Sequence, residues 1–249
     1  MDRFNLSKND ACVLSALFDP ESSLSNSMTV QVRDISREEG HLSALQEQEQ
    51  RALRPLNQAT PARSDIELCV SQLSAIIADN PSYASAWNNR AQARRMLVAD
   101  ADLSRSPAAV AEILQDLAQA IELATPGRAT SSMPSSNSGS GSSSISSLEA
   151  RVLASAHTHR GYLLLLASKS DQTRMMLHAV PGLRDLPRDR LAEAASRELA
   201  LGGRYGNETA RQLAVKTNPY AKLCGSIVRE ALTKEIMDFY QPRTQADAI

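Results

Sequence analysis

Residues 80–96 constrain the fold more than any other part of the chain. The apolar residues before this stretch are spaced as on one face of a helix, and Asn80 and Pro81 then interrupt that helix. A second helical pattern begins a few residues later and carries Trp87 among small residues such as Ala91. Two amphipathic helices joined by such a short connection are expected to pack side by side, so the sequence predicts helix pairs.

The apolar pattern before this connection recurs after it, with Ile66 and Val110 as the first residues of the two copies. Both copies have apolar residues at the same offsets, which place them on one face of a helix. The members are Ile66, Cys69, Val70, Leu73, Ile76 and Ile77 in the first copy and Val110, Ile113, Leu114, Leu117, Ala120 and Ile121 in the second. A helix with one apolar face must bury it against neighbours, so this recurrence predicts stacked helix pairs.

Composition excludes several classes of protein. The net charge of −1 gives no basic field for nucleic acid or for an anionic membrane surface. The three cysteines, Cys12, Cys69 and Cys224, are far apart, which predicts reduced thiols and a cytoplasmic location, with the nucleus also possible. The N-terminus lacks the apolar core of a secretory signal, and the longest apolar run, residues 162–167, is far shorter than the ~20 residues of a membrane helix.

The helix connection matches the tetratricopeptide repeat (TPR), a helix pair of about 34 residues. Trp87 takes the aromatic place and Ala91 the small place of a first helix, and Pro81 takes the proline that closes the repeat before it. In a third pair Gly161 takes the small place, and His157 replaces the aromatic residue. Four segments occur in the order 9–20, 84–95, 157–166 and 210–224. In these segments the chain resembles the tetratricopeptide repeat protein 36 family.

Together, the repeats and the resemblance imply an all-α, three-repeat TPR helical solenoid with a C-terminal capping helix and a short N-terminal helix. A Ser/Gly/Pro-rich stretch cannot offset its ordering entropy by burial, so a disordered loop is expected there. Pro55 is expected to stop or kink the helix at residues 34–56, and Asn218 with Pro219 is expected to begin the last helix, at about 219–240. Gly202, Gly203 and Gly206 are expected to end the last repeat helix and break the chain after it. The expected boundaries are 1–33 for the N-terminal segment, about 34–81, 82–126 and 148–206 for the repeats, 125–147 for the loop, and 207–249 for the capping helices and tail.

The resemblance further implies a binding adaptor without enzymatic activity, and an association with chaperones. Its partner is then another protein or peptide segment, with no cofactor, no metal, no nucleic acid and no membrane, and the oligomeric state stays open. Eight residues are predicted to line the concave groove of the solenoid, because of the positions that they take in the repeat. These are Ser85, Asn88, Asn89, Gln92 and Arg95 in the second repeat and Thr158, Tyr162 and Leu165 in the third.

One kind of TPR groove holds the C-terminal carboxylate of a chaperone tail with cations and amides from three successive helices. Asn89 matches the amide that such a clamp takes from its second repeat. The first repeat helix offers no lysine, and Ser155 and His159 stand at two positions where the clamp needs cations. We therefore expect weak binding of acidic chaperone tails.

Two alternatives remain open at the level of sequence. An enzyme or ligand carrier would use a pocket near His157 and His159, but their spacing puts them on different helix faces, unlike a metal-binding pair at i, i+4. No catalytic motif is present. A self-capped module would instead dock residues 9–18, with their apolar edge, within the same chain. The site for that segment would be the groove near Tyr162 and Leu165, or the first repeat.

Overall fold

The computed structural model of the chain describes residues 32–33, 39–126 and 145–240. These residues are mainly helical, and the fold class is all-α, as expected. In chain order the helices are α1 Glu39–Leu53, α2 Arg63–Asp79, α3 Ala84–Met96, α4 Pro107–Ala124, α5 Ser147–Ser168, α6 Asp171–Arg174, α7 Arg188–Arg204, α8 Glu208–Thr217 and α9 Pro219–Tyr240. The N-terminal helix predicted within residues 9–18 lies outside the described residues.

Helices that follow one another along the chain pack on one another. Contacts join α1 to α2, α2 to α3, α3 to α4, α4 to α5, α5 to α7 and α7 to α8, and α3 also touches α5. This order of packing is consistent with a repeat solenoid, in which each unit buries its apolar face on its neighbours. Within the described residues α1/α2, α3/α4 and α5/α7 are the three pairs, with α6 between the last two helices.

The predicted apolar stripes form the core. In α2 the buried members are Ile66, Cys69, Leu73, Ile76 and Ile77, and in α4 they are Val110, Ile113, Leu114, Leu117 and Ala120. Val70 and Ile121 are half-buried at the edges of the two stripes. The first core lies among α1, α2 and α3, the second among α4, α5 and α7, and Trp87 packs against both. The 3.6-residue period therefore identified both core faces correctly.

Prolines begin or end helices where the sequence predicts it. Pro55 lies in a 3-10 turn, Arg54–Asn57, directly after α1. Pro219 is the first residue of α9, and Asn218 precedes it. Both positions follow from the missing amide hydrogen of proline, which a helix tolerates only in its first turn.

Of the three glycines predicted to end the last repeat helix, Gly206 lies just after its end, with a φ of 105°. The prediction is wrong for Gly202 and Gly203, because both lie inside α7, which continues to Arg204. A Cβ on Gly202 would lie 2.5 Å from the Thr158 Oγ1 atom, and one on Gly203 would lie 2.8 Å from the Arg211 Cα atom. The glycines thus let α5 and α8 approach α7 closely. That packing offsets the roughly 0.5–1 kcal/mol that each glycine costs inside a helix.

Residues 145–147 are not part of a disordered loop, although the sequence predicts one at residues 125–147. Ile145 and Ser146 pair in parallel with Val32 and Arg33, the only strand pairing in the described residues. The Ile145 side chain is 2% exposed, and Ser146 forms a capping box with Glu149 at the start of α5. An isoleucine and a helix cap are ordering signals that the serine-rich composition of this stretch conceals. Residues 127–144 lie outside the described residues.

We expect that deleting residues 129–143 changes the free energy of unfolding by less than about 1 kcal/mol, because closure entropy depends only weakly on loop length. Urea denaturation of the wild-type and shortened chains measures this change. Ile145→Ala is the control, since it removes a buried side chain at the edge of the deletion and should lower the midpoint clearly. A deletion that lowers the midpoint as much as Ile145→Ala contradicts the expectation.

The third helix pair is capped mainly by α8, which packs along α7 and buries Ala210. A C-terminal capping helix was expected at residues 219–240, and α9 has those bounds. However, every residue from 227 to 237 is exposed. One residue, Asn218, separates α8 from α9, which is too short a connection for α9 to fold back along α8.

Candidate functional site

The candidate site is the surface where α1, α3 and α5 lie side by side, which we call the groove. These are the first helices of the three pairs. Glu49 of α1 accepts hydrogen bonds from α3, and Gln92 of α3 donates one to Ser155 of α5 at 3.0 Å. All eight residues predicted to line the groove lie on α3 or α5. The structure gives them different roles.

A buried carboxylate lies between α1 and α3. Glu49, which is 6% exposed, accepts hydrogen bonds from the Tyr83 hydroxyl at 2.9 Å, the Ser85 hydroxyl at 2.9 Å and the Asn89 amide at 2.8 Å. Burial and the nearby Glu49 charge raise the pKa of Tyr83, and Arg151 of α5 opposes them. Ser85 and Asn89 therefore bind the chain's own carboxylate and join the first two repeats.

Asn88 and Gln92 lie one turn apart on α3 but differ in exposure. Asn88 is 5% exposed, and its Oδ1 atom has no hydrogen-bond partner among the described residues. Its amide nitrogen lies 3.4 Å from the Asn89 Oδ1 atom. Gln92 is exposed, with its amide on Ser155. Of these two residues, only Gln92 presents its side chain to solvent.

Arg95 and Tyr162 meet at Asp100, in the 3-10 turn Asp100–Arg105 that follows α3. Arg95 forms an ion pair with Asp100 and donates to the carbonyl oxygen of Val98. The Tyr162 hydroxyl donates to the Asp100 carboxylate at 2.9 Å. Arg95 is therefore neutralised by its own chain, and Tyr162 is half-buried.

The remaining predicted residues of α5 separate into two groups. Thr158 donates to the Ala154 carbonyl oxygen at 2.5 Å and lies beneath Gly202, so it faces α7 and not the open groove. Leu165 is half-buried and packs against the second core. Of the eight predicted residues, Gln92 is exposed, and Tyr162 and Leu165 are the half-buried ones with a large apolar side-chain surface.

The two histidines of α5 point to different neighbours, as their spacing predicts. His157 is buried, its Nδ1 atom lies 2.8 Å from the Glu198 carboxylate, and its ring stacks on Tyr205 at 5.8 Å. Arg160 also donates to Glu198. Burial alone would raise the pKa of Glu198, but the hydrogen bonds from His157 and Arg160 outweigh it, and the pKa is lowered. This group joins α5 to α7.

His159 lies on the groove side, close enough to Arg95 to feel its charge. Its Nδ1 atom is buried and has no hydrogen-bond partner among the described residues. Burial, together with the Arg95 charge, lowers the pKa of His159 to about 4, so the ring is neutral at physiological pH. A neutral imidazole beside a paired arginine makes this part of the groove floor uncharged.

We expect His159 to make the protein less stable as the pH falls from 7 to 5. The folded-state pKa lies below the ordinary value of 6.5, so in this window the unfolded chain binds more protons. The loss should be about 2 kcal/mol between pH 7 and pH 5. Urea unfolding across this range, for the wild type and His159→Gln, measures it. If the free energy of unfolding depends on pH equally in the two proteins, the expectation is contradicted. Glu198 does not account for the loss in this window, because its stabilising charge is lost only at lower pH.

Another buried carboxylate, Asp116 of α4, forms ion pairs with Arg90 and Arg94, the other two arginines of α3. Arg90 contacts both its oxygens, at 2.6 and 2.9 Å, and Arg94 contacts one at 2.6 Å. Asp116 is 2% exposed. Arg90 also lies 4.8 Å from the centre of the Trp87 ring. Arg90 and Arg94 therefore hold α3 to α4 and are not free to bind an anion.

The carboxylates that organise the site, Glu49, Asp100, Asp116 and Glu198, are absent from the residues selected by sequence. Each shares its helix or turn with other acidic residues, and the sequence alone cannot distinguish a buried carboxylate from a solvated one. Their only signal is an arginine, tyrosine or amide at the matching position of the neighbouring repeat helix. That signal can be recognised only when the packing of the helices is known.

The described residues contain no metal site, and the cleft found among them is not lined by histidine. No group of three or more His, Cys, Asp or Glu side chains is close enough to hold a metal ion in the described part of the chain. A cleft of about 550 Å³ lies beside the α3–α4 turn, lined by residues that include Arg63, Arg94 and Glu112, and neither His157 nor His159 lines it. Burial raises the pKa of the Cys69 thiol to about 11, so that thiol is a poor nucleophile.

The chain is similar over most of its length to proteins of known name. It is 39% identical over 254 residues to the L-tyrosine degradation gene cluster protein hmgX of Aspergillus fumigatus, a match that covers 94% of this chain and 94% of that protein. It is also 27% identical over 229 residues to tetratricopeptide repeat protein 36 of Xenopus tropicalis, covering 91% and 87% of the two chains. The human protein of that name is 26% identical, covering 90% of this chain and 93% of its own.

No family model matches the chain, and neither does any solved structure. The relatives and the packed helix pairs define a TPR-type helical protein. The chain belongs to the family of the L-tyrosine degradation gene cluster protein hmgX. Within the described residues, no helix combines the length and apolar character needed to cross a membrane.

Proposed function

We propose that the chain is a non-enzymatic TPR adaptor of the tetratricopeptide repeat protein 36 type that supports L-tyrosine degradation by binding another protein in the groove. The pathway comes from the name of its hmgX relative, and the adaptor type from its likeness to tetratricopeptide repeat protein 36. A cytoplasmic location, with the nucleus as an alternative, is part of the proposal.

The observation that carries the adaptor role is the pairing of ionisable groups in and beside the groove. Glu49, Arg95 and Glu198 each bind side chains of a neighbouring helix or turn, and His159 is neutral. Catalysis needs a titratable group that can exchange a proton or attack a substrate. These groups serve the packing of the helices, and they leave an open surface of Gln92, Tyr162 and Leu165.

The chemistry of that surface favours a partner segment with apolar anchors and backbone hydrogen-bonding groups. Tyr162 and Leu165 offer apolar contact area, and the Gln92 amide can bind a backbone group. A strongly acidic segment fits poorly, because Asp100 neutralises Arg95 and Glu49 occupies the Asn89 amide. Association with a chaperone then uses a segment other than an acidic tail.

The acidic-tail interaction gives a direct prediction. A peptide with the acidic C-terminus of a cytosolic chaperone should bind more weakly than millimolar, because the Asn89 amide already binds Glu49. Isothermal titration calorimetry with the full chain measures this affinity. An amidated peptide is the control for the terminal carboxylate. Micromolar binding that depends on the free carboxylate and is lost in Asn89→Ala would contradict the prediction.

A pair of matched variants tests the adaptor role in cells. Gln92→Trp places a bulky ring in the groove, and Gln72→Trp makes the same change at an exposed position of α2. In a strain that lacks the gene, we expect the wild type and Gln72→Trp to restore growth on tyrosine, and Gln92→Trp to fail. Affinity purification should recover the same partner with the first two proteins and not with the third.

Other results would contradict the proposal. Normal growth of the deletion strain on tyrosine would remove the link to the pathway. Full rescue of growth by Gln92→Trp, with the partner still bound, would show that the groove is not the binding site. Conversion of a tyrosine breakdown product by the purified chain would show that the chain is an enzyme and not an adaptor. No contact among the described residues favours that alternative, because His157 and His159 diverge.

A further inference from the structure

Asp100 differs from the other carboxylates that organise the site. Glu49 is 6% exposed, Asp116 is 2% exposed, and the side chain of Glu198 is 12% exposed. These three are enclosed by the helices that they join. The side chain of Asp100 is 58% exposed and belongs to a short turn between helices. It can therefore rotate into solvent without the movement of a helix.

The groups that hold Asp100 are less exposed and are kept in place by other contacts. The Arg95 side chain is 17% exposed and also donates to the Val98 carbonyl oxygen, which does not depend on Asp100. Tyr162 is half-buried on α5, which packs directly against α3. Leu103 anchors the turn, since it is 2% exposed. Arg95 and Tyr162 therefore keep their positions when the Asp100 side chain leaves.

Arg95 and Tyr162 together form a site for one carboxylate group. Arg95 of α3 forms an ion pair with the Oδ1 atom of Asp100, and the Tyr162 hydroxyl of α5 donates to its Oδ2 atom at 2.9 Å. Each oxygen thus has a donor from a different helix, and the charged donor makes the interaction strong. His159 beside Arg95 is neutral, so the site balances the charge of one carboxylate and not of several.

We propose that Asp100 occupies a binding site for a carboxylate of the partner, which binds to Arg95 and Tyr162 by displacing the Asp100 side chain. The proposal rests on the proposed function, because this carboxylate belongs to the segment that the groove binds. Exchange of one carboxylate for another keeps Arg95 paired, whereas an unpaired buried cation is costly. Leu165 lies one turn from Tyr162, so an apolar residue of the partner is expected beside the carboxylate. Asp100 acts as a competitor within the chain and keeps the affinity for a carboxylate without such a neighbour low.

Sodium acetate tests the site, because acetate carries a carboxylate and almost nothing else. The site is empty in Asp100→Ala, so acetate should raise the urea midpoint of this variant above its value in sodium chloride at the same concentration. The wild type should show no such difference, because Asp100 fills the site. Asp102→Ala is the matched control: it removes another exposed carboxylate of the same turn and should behave as the wild type does.

Two larger probes distinguish the sources of the carboxylate. N-acetylleucine has the carboxylate of a chain end, and an acetylated and amidated dipeptide of leucine and aspartate has a side-chain carboxylate instead. NMR titration of the full chain measures both dissociation constants. We expect Asp100→Ala to bind at least one probe about tenfold more tightly than the wild type does, because Asp100 fills the site in about nine of ten wild-type molecules. Adding Arg95→Met to this variant should abolish the gain.

Asp100→Asn keeps an acceptor oxygen for Arg95 and Tyr162, and it replaces Asp100→Ala in these experiments where the alanine variant does not fold. It should respond to acetate in the same direction, to a smaller extent. The proposal is overturned when neither variant responds to acetate more than the wild type does, or when the gain in affinity persists after Arg95→Met.

These outcomes can be distinguished from a failure of the proposed function. The growth test with Gln92→Trp reports on the groove as a whole and does not depend on acetate. Loss of growth in Gln92→Trp, together with no response of Asp100→Ala to acetate, would overturn the carboxylate site and keep the groove as the binding site of the partner.

Discussion

Trp87→Ala should lower the free energy of unfolding by about 3–4 kcal/mol, near the lower end of the range for a large aromatic residue because Trp87 is half-buried. The ring packs against both cores. Its Nε1–H group donates to the Pro81 carbonyl oxygen at 2.9 Å, which ties α3 to the turn that closes the first repeat. Removal of the ring therefore opens a cavity where the first two repeats meet.

Urea unfolding followed by circular dichroism measures this loss, since Trp87 is the only tryptophan and its fluorescence disappears with the mutation. Met96→Ala is a control on the same helix, because Met96 is 47% exposed and should cost little. A Trp87→Ala midpoint equal to that of Met96→Ala would show that the two cores are stable without the ring.

Asp116→Ala should cost about 3–5 kcal/mol, because it leaves two buried or half-buried arginines without their carboxylate. The side chains of Arg90 and Arg94 are 12% and 22% exposed. Arg90 also donates to the Ser74 hydroxyl at 3.1 Å, so the ion pair joins α2, α3 and α4. The loss of one carboxylate therefore affects both sides of the connection between the first two repeats.

Chemical denaturation of Asp116→Ala and Glu112→Ala tests this prediction. Glu112 lies on the same helix and contacts Arg94 at 3.4 Å, but its side chain is 61% exposed, so its loss should cost less than about 1 kcal/mol. A double variant, Arg90→Met/Asp116→Leu, should recover part of the stability lost in Asp116→Ala. Similar costs for Asp116→Ala and Glu112→Ala would show that the buried ion pair adds no more than a surface pair.

The sequence by itself determined the class of the fold. Apolar spacing identified the buried faces of α2 and α4, and Pro55 and Pro219 marked helix ends at the right positions. These features depend on local chemistry: a helix exposes one residue in every 3.6 to the same side, and proline lacks an amide hydrogen. The order of motifs gave the resemblance to tetratricopeptide repeat protein 36, which relatives of that name support at 26–27% identity.

Only the tertiary structure decided which polar residues hold the repeats together and which face solvent. Ser85, Asn88 and Gln92 look equivalent in the sequence of α3, yet the first binds Glu49, the second is buried and the third is exposed. The glycines in α7 could not be interpreted from the sequence either, because their role is to let α5 and α8 approach α7 closely. Burial and pairing of a polar group depend on residues distant in sequence, and helical periodicity contains no information about them.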